Sequence, residues 1–149
     1  MRAVIQRVRQ ARVEVAGERV SEMGSGLLAL VGVAGDDDEA DARTLAEKIV
    51  GLRIFEDAGG KMNRCLAEEG GTLGVVSQFT VLADCTKGRR PSFGRAAAPE
   101  LAESLLESLV ENARGLGVAV VTGRFRTTME VSLTNHGPVT VLLDTKSRL

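Results

Sequence analysis

The sequence has no tryptophan, no tyrosine and one histidine. Aromatics make up 3% of the chain, all of them phenylalanine. The core must therefore be built from Val, Leu, Ile and Ala. Too few rings remain for a surface that stacks many bases of a single strand. A Ser-His-Asp or Cys-His device would have to use His136, and no local motif pairs it with a nucleophile. It reads as a solvent-exposed turn residue. There is no Gly-x-Ser-x-Gly elbow, no His-Glu-x-x-His helix, no Cys/His cluster and no Walker loop. The two cysteines, Cys65 and Cys85, lack CxxC spacing and are expected to be free thiols in a reducing compartment. No run approaches the roughly 18 apolar residues that span a bilayer. Met1–Arg7 has the pattern of a strand rather than of a signal peptide. These absences lead to the expectation of a soluble, cytoplasmic chain with no membrane partner, no metal and no cofactor.

What is present is a chain of 149 residues with 44% apolar content. That length fits a single domain, residues 1–149, able to bury a core. The net charge of −1 gives no overall pull toward nucleic acid. Two local basic clusters stand out: Arg2, Arg7, Arg9 and Arg12, then Lys87, Arg89, Arg90 and Arg95. They read equally well as solvated surface or as a short contact with one RNA end.

Apolar, β-branched patterns predict strands over Ala3–Val8, Arg12–Val15, Leu27–Val33, Leu73–Leu82, Val118–Val121, Glu130–Leu133 and Val139–Leu143. Gly17 marks a turn, and Gly24-Ser25-Gly26 has the composition of a hairpin turn. The acidic block Asp36–Glu39 precedes a helical stripe of Leu45, Ile49 and Leu52 and suits a capped helix start. Pro99 opens a second helix with a stripe of Leu101, Leu105, Leu109, Ala113 and Leu116. The order predicts an α+β domain with a largely antiparallel sheet and two main helices.

Two segments depart from plain strand patterns. In Ser77-Gln78-Phe79-Thr80, polar residues interrupt an apolar run. Strand alternation would put Ser77, Phe79 and Val81 on one side, and Gln78, Thr80 and Leu82 on the other. The hydroxyls serve either as local backbone partners or as groups that hold an ester carbonyl or sugar hydroxyl. In Asn135-His136-Gly137-Pro138-Val139-Thr140, a Gly-Pro pair lies between two strand-like runs. Proline cannot donate to a ladder, and glycine reaches angles closed to other residues. The segment reads as a stiff turn that recognises through its backbone.

These two segments resemble the signature motifs of the D-aminoacyl-tRNA deacylase family. Five more segments are similar to it: Met1–Val8, Arg53–Asp57, Gly60–Asn63, Arg90–Phe93 and Met129–Leu133. The likeness runs in order from residue 1 to about 144. Departures are His136, where an acidic residue is common, Thr134, where an apolar one is common, and Gly74, in place of a larger apolar residue. The resemblance implies a homodimer with a barrel-like sheet. It implies a hydrolase of the ester between a D-amino acid, or glycine, and the 3′-terminal adenosine of tRNA. It assigns Ser77, Gln78, Phe79 and Thr80 to the catalytic pocket through backbone and hydroxyl roles, with Phe79 helping to place the adenosine. Met129 would line the floor. Gly137 and Pro138, joined by a cis peptide, would enter the other subunit's site and reject L-amino acids, with Arg7 holding that loop. A hydroxyl of the terminal ribose would assist water attack, and backbone N–H groups would stabilise the oxyanion. Two other readings remain: a small-ester hydrolase using Thr80, and a non-catalytic module that binds RNA ends.

Overall fold

The computed structural model describes residues 1–149. Its spine is a long strand, β1 (Arg2–Val15), where two strands with a break had been expected. Ala16 and Gly17, at φ +50° and +79°, make a two-residue turn into β2 (Glu18–Met23). Positive φ at both turn residues suits the twist of a hairpin.

β2 pairs antiparallel with Ala11–Val15 of β1, and β3 (Gly26–Gly32) pairs antiparallel with Arg2–Val8. Gly24-Ser25-Gly26 is therefore not a hairpin turn. It is a jog in a chain that keeps its direction along one edge of β1. Gly26 is needed there because a Cβ would run into the Thr72 carbonyl.

The helix α1 (Glu39–Gly51) follows. Asp38 caps it by accepting from the Ala40 and Asp41 N–H groups, and Asp41 returns a bond to the Asp38 N–H. Such a reciprocal cap satisfies donors that the helix itself cannot. A short hairpin of β4 (Phe55–Glu56) and β5 (Met62–Arg64) and one turn of helix, α2 (Leu66–Glu69), lead into β6 (Thr72–Ser77). Pro99 opens α3 (Pro99–Gly115), whose buried face is Leu105, Leu106, Leu109, Val110 and Ala113. Leu116, placed on that stripe by sequence, lies beyond the helix and is exposed.

β7 (Ala119–Thr122) and β8 (Glu130–Asp144) complete the sheet. β6 runs parallel to both β3 and β7, while β1 is antiparallel to β2, β3 and β8. The architecture is thus α+β, with a mixed, predominantly antiparallel sheet curled toward a barrel.

One face of the sheet, with Ala3, Ile5, Leu27, Ala29, Val31, Leu73 and Val75, packs on α1 and α3. The other face carries a smaller cluster of Val8, Ala11, Val13, Met23, Leu28 and Val76. Val8 shares a face with Ala11 and Val13 despite the change of parity because the β1–β8 register shifts between Val8 and Gln10.

The C-terminal residues are tied to the start of α1. Thr145 donates to Asp41 Oδ1 at 2.6 Å, and Lys146 Nζ lies 3.3 Å from Asp41 Oδ2. Burial works against the charge on Asp41, but bonds from Thr145, the Asp38 N–H and Lys146 outweigh it and hold the carboxyl at about 2.

Candidate active site

The strand expected over Leu73–Leu82 ends at Ser77. Its neighbour β7 stops pairing at Val75, and the Gln78 N–H makes the last link, 2.7 Å to the Val31 carbonyl. Phe79–Leu82 then wind into a 3-10 turn. The alternation expected for residues 77–82 is replaced by a helical arrangement. Val81 packs over Gly32, where a Cβ would come 2.6 Å from Val81 Cγ2. Arg2 Nη1 donates to the Val81 carbonyl at 3.2 Å, which ties the turn to β1.

This turn forms one wall of a cavity of about 650 Å³. Ser77, Gln78, Phe79, Thr80 and Met129 all line it, so the structure brings these predicted residues together. Phe93, Pro99, Ala97, Ala102, Phe125 and Thr127 to Met129 supply further wall. Phe79 is 55% exposed and meets Phe93 edge to face, with centroids 5.1 Å apart. Met129 reaches its place across Gly123, where a Cβ would lie 2.7 Å from the thioether sulfur.

Arg126 is the only ionisable side chain of the lining. No aspartate, glutamate, histidine, lysine or cysteine is there to act as base or nucleophile. Thr80 and Ser77 have hydroxyls but no side-chain proton acceptor in the cavity. The Phe79 and Thr80 N–H groups begin the 3-10 turn and donate to none of the loop or side-chain acceptors. An opening turn leaves such donors free for a ligand. No group of three or more His, Cys, Asp or Glu side chains is gathered where it could hold a metal.

Gly137, Pro138 and Arg7 do not line this cavity. The segment is also not a turn between two strands. Residues 130–144 form one strand, β8, and both halves pair antiparallel with β1. Gln6 pairs with Thr140 and Val8 with Asn135, so a two-residue step on β1 faces a five-residue step on β8. The surplus is His136-Gly137-Pro138, which loops out with Gly137 and Pro138 exposed. The Gly137-Pro138 peptide is cis, and Gly137 has φ +131°.

The base of the loop is pinned. Asn135 Nδ2 and Thr140 Oγ1 both donate to Gln6 Oε1, at 2.8 and 2.6 Å. The Val139 N–H donates back to Asn135 Oδ1 at 3.2 Å. Buried Arg7 donates from Nε to the His136 carbonyl at 3.0 Å and from Nη1 to the Ile54 carbonyl at 2.6 Å. The His136 ring, read as a plain exposed turn residue, accepts at Nε2 from Arg9 at 3.0 Å.

Gln6, Asn135, Thr140 and Phe93 had no assigned role from sequence. A polar Gln6 inside an apolar strand was the one available signal for the pin. Nothing in the spacing foretold the contact between Phe93 and Phe79.

Fold and site together define a small α+β domain with a pocket of main chain, hydroxyls and phenylalanine, and a separate, rigidly held Gly-Pro loop. The family model described as D-Tyr-tRNA(Tyr) deacylase matches residues 4–144, and the chain belongs to that family. A D-aminoacyl-tRNA deacylase of Symbiobacterium thermophilum is 56% identical over 98% of this chain and 97% of its own length. One from Desulfatibacillum aliphaticivorans is 56% identical over 98% of this chain and its full length. Among solved structures, a c-Myc DNA unwinding element binding protein superposes with TM-score 0.92 at 36% identity, covering 97% of this chain and 98% of that one. A probable eukaryotic D-amino acid tRNA deacylase, at TM-score 0.81 and 16% identity over 95% of this chain and 97% of that one, shares the fold.

Proposed function

We propose that this chain hydrolyses the ester of D-aminoacyl-tRNA, and of glycine carried on tRNA, as a homodimer whose pockets are each completed by the partner's Gly137-Pro138 loop. The reaction class follows from membership of the deacylase family. The observation that carries the rest is the division of labour within one chain. The cavity has almost no ionisable side chains, and the pinned Gly137-Pro138 loop is exposed and forms no part of its lining.

An uncovered sheet face supports the dimer. Leu30, Val4 and Leu142 stand abreast on β3, β1 and β8, on the side away from the helices. Leu142 is 55% exposed. Beside this row lie the 3-10 turn, over Gly32, and the pinned base of the loop, at Gln6 and Thr140. A two-fold contact buries the same patch on both subunits. Such a contact on this row would bring each loop toward the other subunit's 3-10 turn.

The chemistry then needs little from side chains. Water adds to the ester carbonyl, and the Phe79 and Thr80 N–H groups meet the developing oxyanion. The bond from the acyl carbon to the ribose oxygen breaks, one proton of the water passes to that oxygen and the other to solvent, and the amino acid is released as its carboxylate. A ribose hydroxyl of the substrate assists the water, in a pocket that offers no base. Phe79 and Phe93 give the terminal adenine a ring to stack on. Carbonyl oxygens of the partner's loop accept from the substrate's α-amino group and leave no room for an L side chain, so selectivity comes from exclusion.

The test is release of D-tyrosine from D-Tyr-tRNA beside L-Tyr-tRNA, without added metal. Loss of the D ester with survival of the L ester is expected. Equal loss of both contradicts the chiral filter, and loss of neither contradicts the hydrolase.

A further inference from the structure

The loop between the 3-10 turn and α3 carries the second basic cluster, which the pocket chemistry does not use. Its stem is closed by a bridge in which Asp84 and Ser92 exchange N–H···O bonds of 2.8 and 2.9 Å. Its far end is stitched to the end of β3. The Gly35 N–H donates to the Arg95 carbonyl at 3.0 Å, and the Ala97 N–H to the Val33 carbonyl at 2.9 Å. Both ends are thus anchored while every residue of the tip, Cys85–Pro91, is exposed. Gly88, at φ +73°, turns the chain there.

The tip holds Lys87, Arg89 and Arg90, and none of the three takes part in an ion pair. The loop's one acidic group does not neutralise them. Asp84 accepts from the Thr86 N–H at 2.9 Å and from its hydroxyl at 2.7 Å. Long cationic side chains left unpaired in a chain of net charge −1 are a local positive field against a neutral background. The same loop delivers Phe93 to Phe79 in the cavity wall. A ring that can stack a base and free cations a few residues away are the two parts of a single-strand binding groove.

We propose that Lys87, Arg89 and Arg90 bind the phosphates just upstream of the terminal adenosine, so that this loop seats the single-stranded 3′ end of the tRNA. The inference rests on the proposed deacylase reading and names how that substrate is held. The cations act on the polynucleotide and not on the ester. They lower KM for tRNA and leave the bond-breaking step to the pocket. Three such contacts on a single strand give a slope of about 2 in log KM against log salt, or roughly a 16-fold rise in KM over a fourfold increase in salt.

The experiment compares the wild-type chain with the triple variant Lys87→Gln, Arg89→Gln, Arg90→Gln on two substrates across a salt series. One is D-Tyr-tRNA. The other is 3′-O-D-tyrosyl-adenosine, which has the ester and the base but no phosphate. The triple variant is expected to raise KM on D-Tyr-tRNA at low salt and to flatten its salt dependence. Its rate on the tyrosyl-adenosine should match the wild type. An unchanged salt slope on D-Tyr-tRNA, or equal losses on both substrates, overturns the proposal. A wild-type chain inert toward both substrates overturns the deacylase reading and this inference with it. A wild-type chain active on both, with an indifferent variant, overturns this inference alone.

Discussion

Arg7 Nε donates to the carbonyl of His136 at 3.0 Å, joining a guanidinium on β1 to the residue just before the Gly-Pro pair. The other arm of the same buried group holds the Ile54 carbonyl at 2.6 Å. A planar fork can satisfy two carbonyls in fixed directions, and an ammonium cannot do so in the same way. The orientation of the loop therefore depends on one side chain 129 residues away in sequence.

Arg7→Lys should keep the fold and loosen the loop. The His136 and Ile54 carbonyls are half-buried, so each one left without its donor costs up to about 1–3 kcal/mol. The expected outcome is a lower midpoint in denaturant and a smaller D-over-L ratio in deacylation. A lower midpoint with an unchanged ratio would reduce Arg7 to a core residue.

Gly137→Ala should act on the loop more than on the domain. At φ +131° a side chain is strained, and its Cβ would lie 2.7 Å from Val139 Cγ2 and 3.0 Å from Arg7 Nη2. A residue forced into such a region costs about 1–3 kcal/mol. The loop should give way and accept L-Tyr-tRNA faster than the wild type does. Wild-type discrimination in this variant would mean that the loop takes no part in selection.

Thr80→Val tests the main-chain chemistry. The hydroxyl has no proton acceptor in the cavity lining. Removing it should leave D-Tyr-tRNA hydrolysis largely intact, because the Thr80 N–H remains. Complete loss, together with activity of the wild type on simple free esters, would favour a threonine nucleophile.

The acid limit of stability should run through Asp41. Its carboxyl sits at about 2 in the folded chain against an ordinary value of 3.8, so it binds its proton more weakly when folded. The stabilisation is complete above the ordinary value and fades as the pH falls toward 2. It is worth about 2 kcal/mol at neutral pH. Asp41→Asn should lower stability at pH 7 and flatten its fall between about pH 5 and 2. Parallel pH curves for the two chains would show that the tail contacts of Thr145 and Lys146 do not stabilise the ionised form.

Much of this was legible in the residues, and the exceptions have physical causes. Leu27–Val33 and Pro99 announced a buried strand and a helix start because burial and φ restriction are local properties. Gly24-Ser25-Gly26 misled because glycine serves a close approach as well as a turn, and the Thr72 carbonyl that demands it is distant in sequence. The strand expected to run to Leu82 stops at Ser77 because its end is set by distant partners: β7 stops pairing at Val75 and β3 at Ser77. Asn135–Thr140 looked like a turn, although both flanks run the same way along β1. Local composition cannot distinguish a reversal from a loop-out. The two motifs stood out in sequence, but their separation within one chain is visible only in the fold.

The central claim is that a pocket takes its chiral filter from the other subunit. Mixing two altered chains tests it most directly. One carries Thr128→Trp, at an exposed position on the cavity lining, where the indole should fill the cavity and abolish hydrolysis. The other carries Gly137→Ala, which is expected to hydrolyse both enantiomers. In mixed dimers every working pocket belongs to a Gly137→Ala chain and receives a wild-type loop from its blocked partner. Adding an excess of blocked chains, with exchange of subunits, should therefore restore survival of L-Tyr-tRNA while D-Tyr-tRNA is still cleaved. Unchanged loss of L-Tyr-tRNA at every mixing ratio would show that each pocket is filtered by its own chain, and would contradict the account.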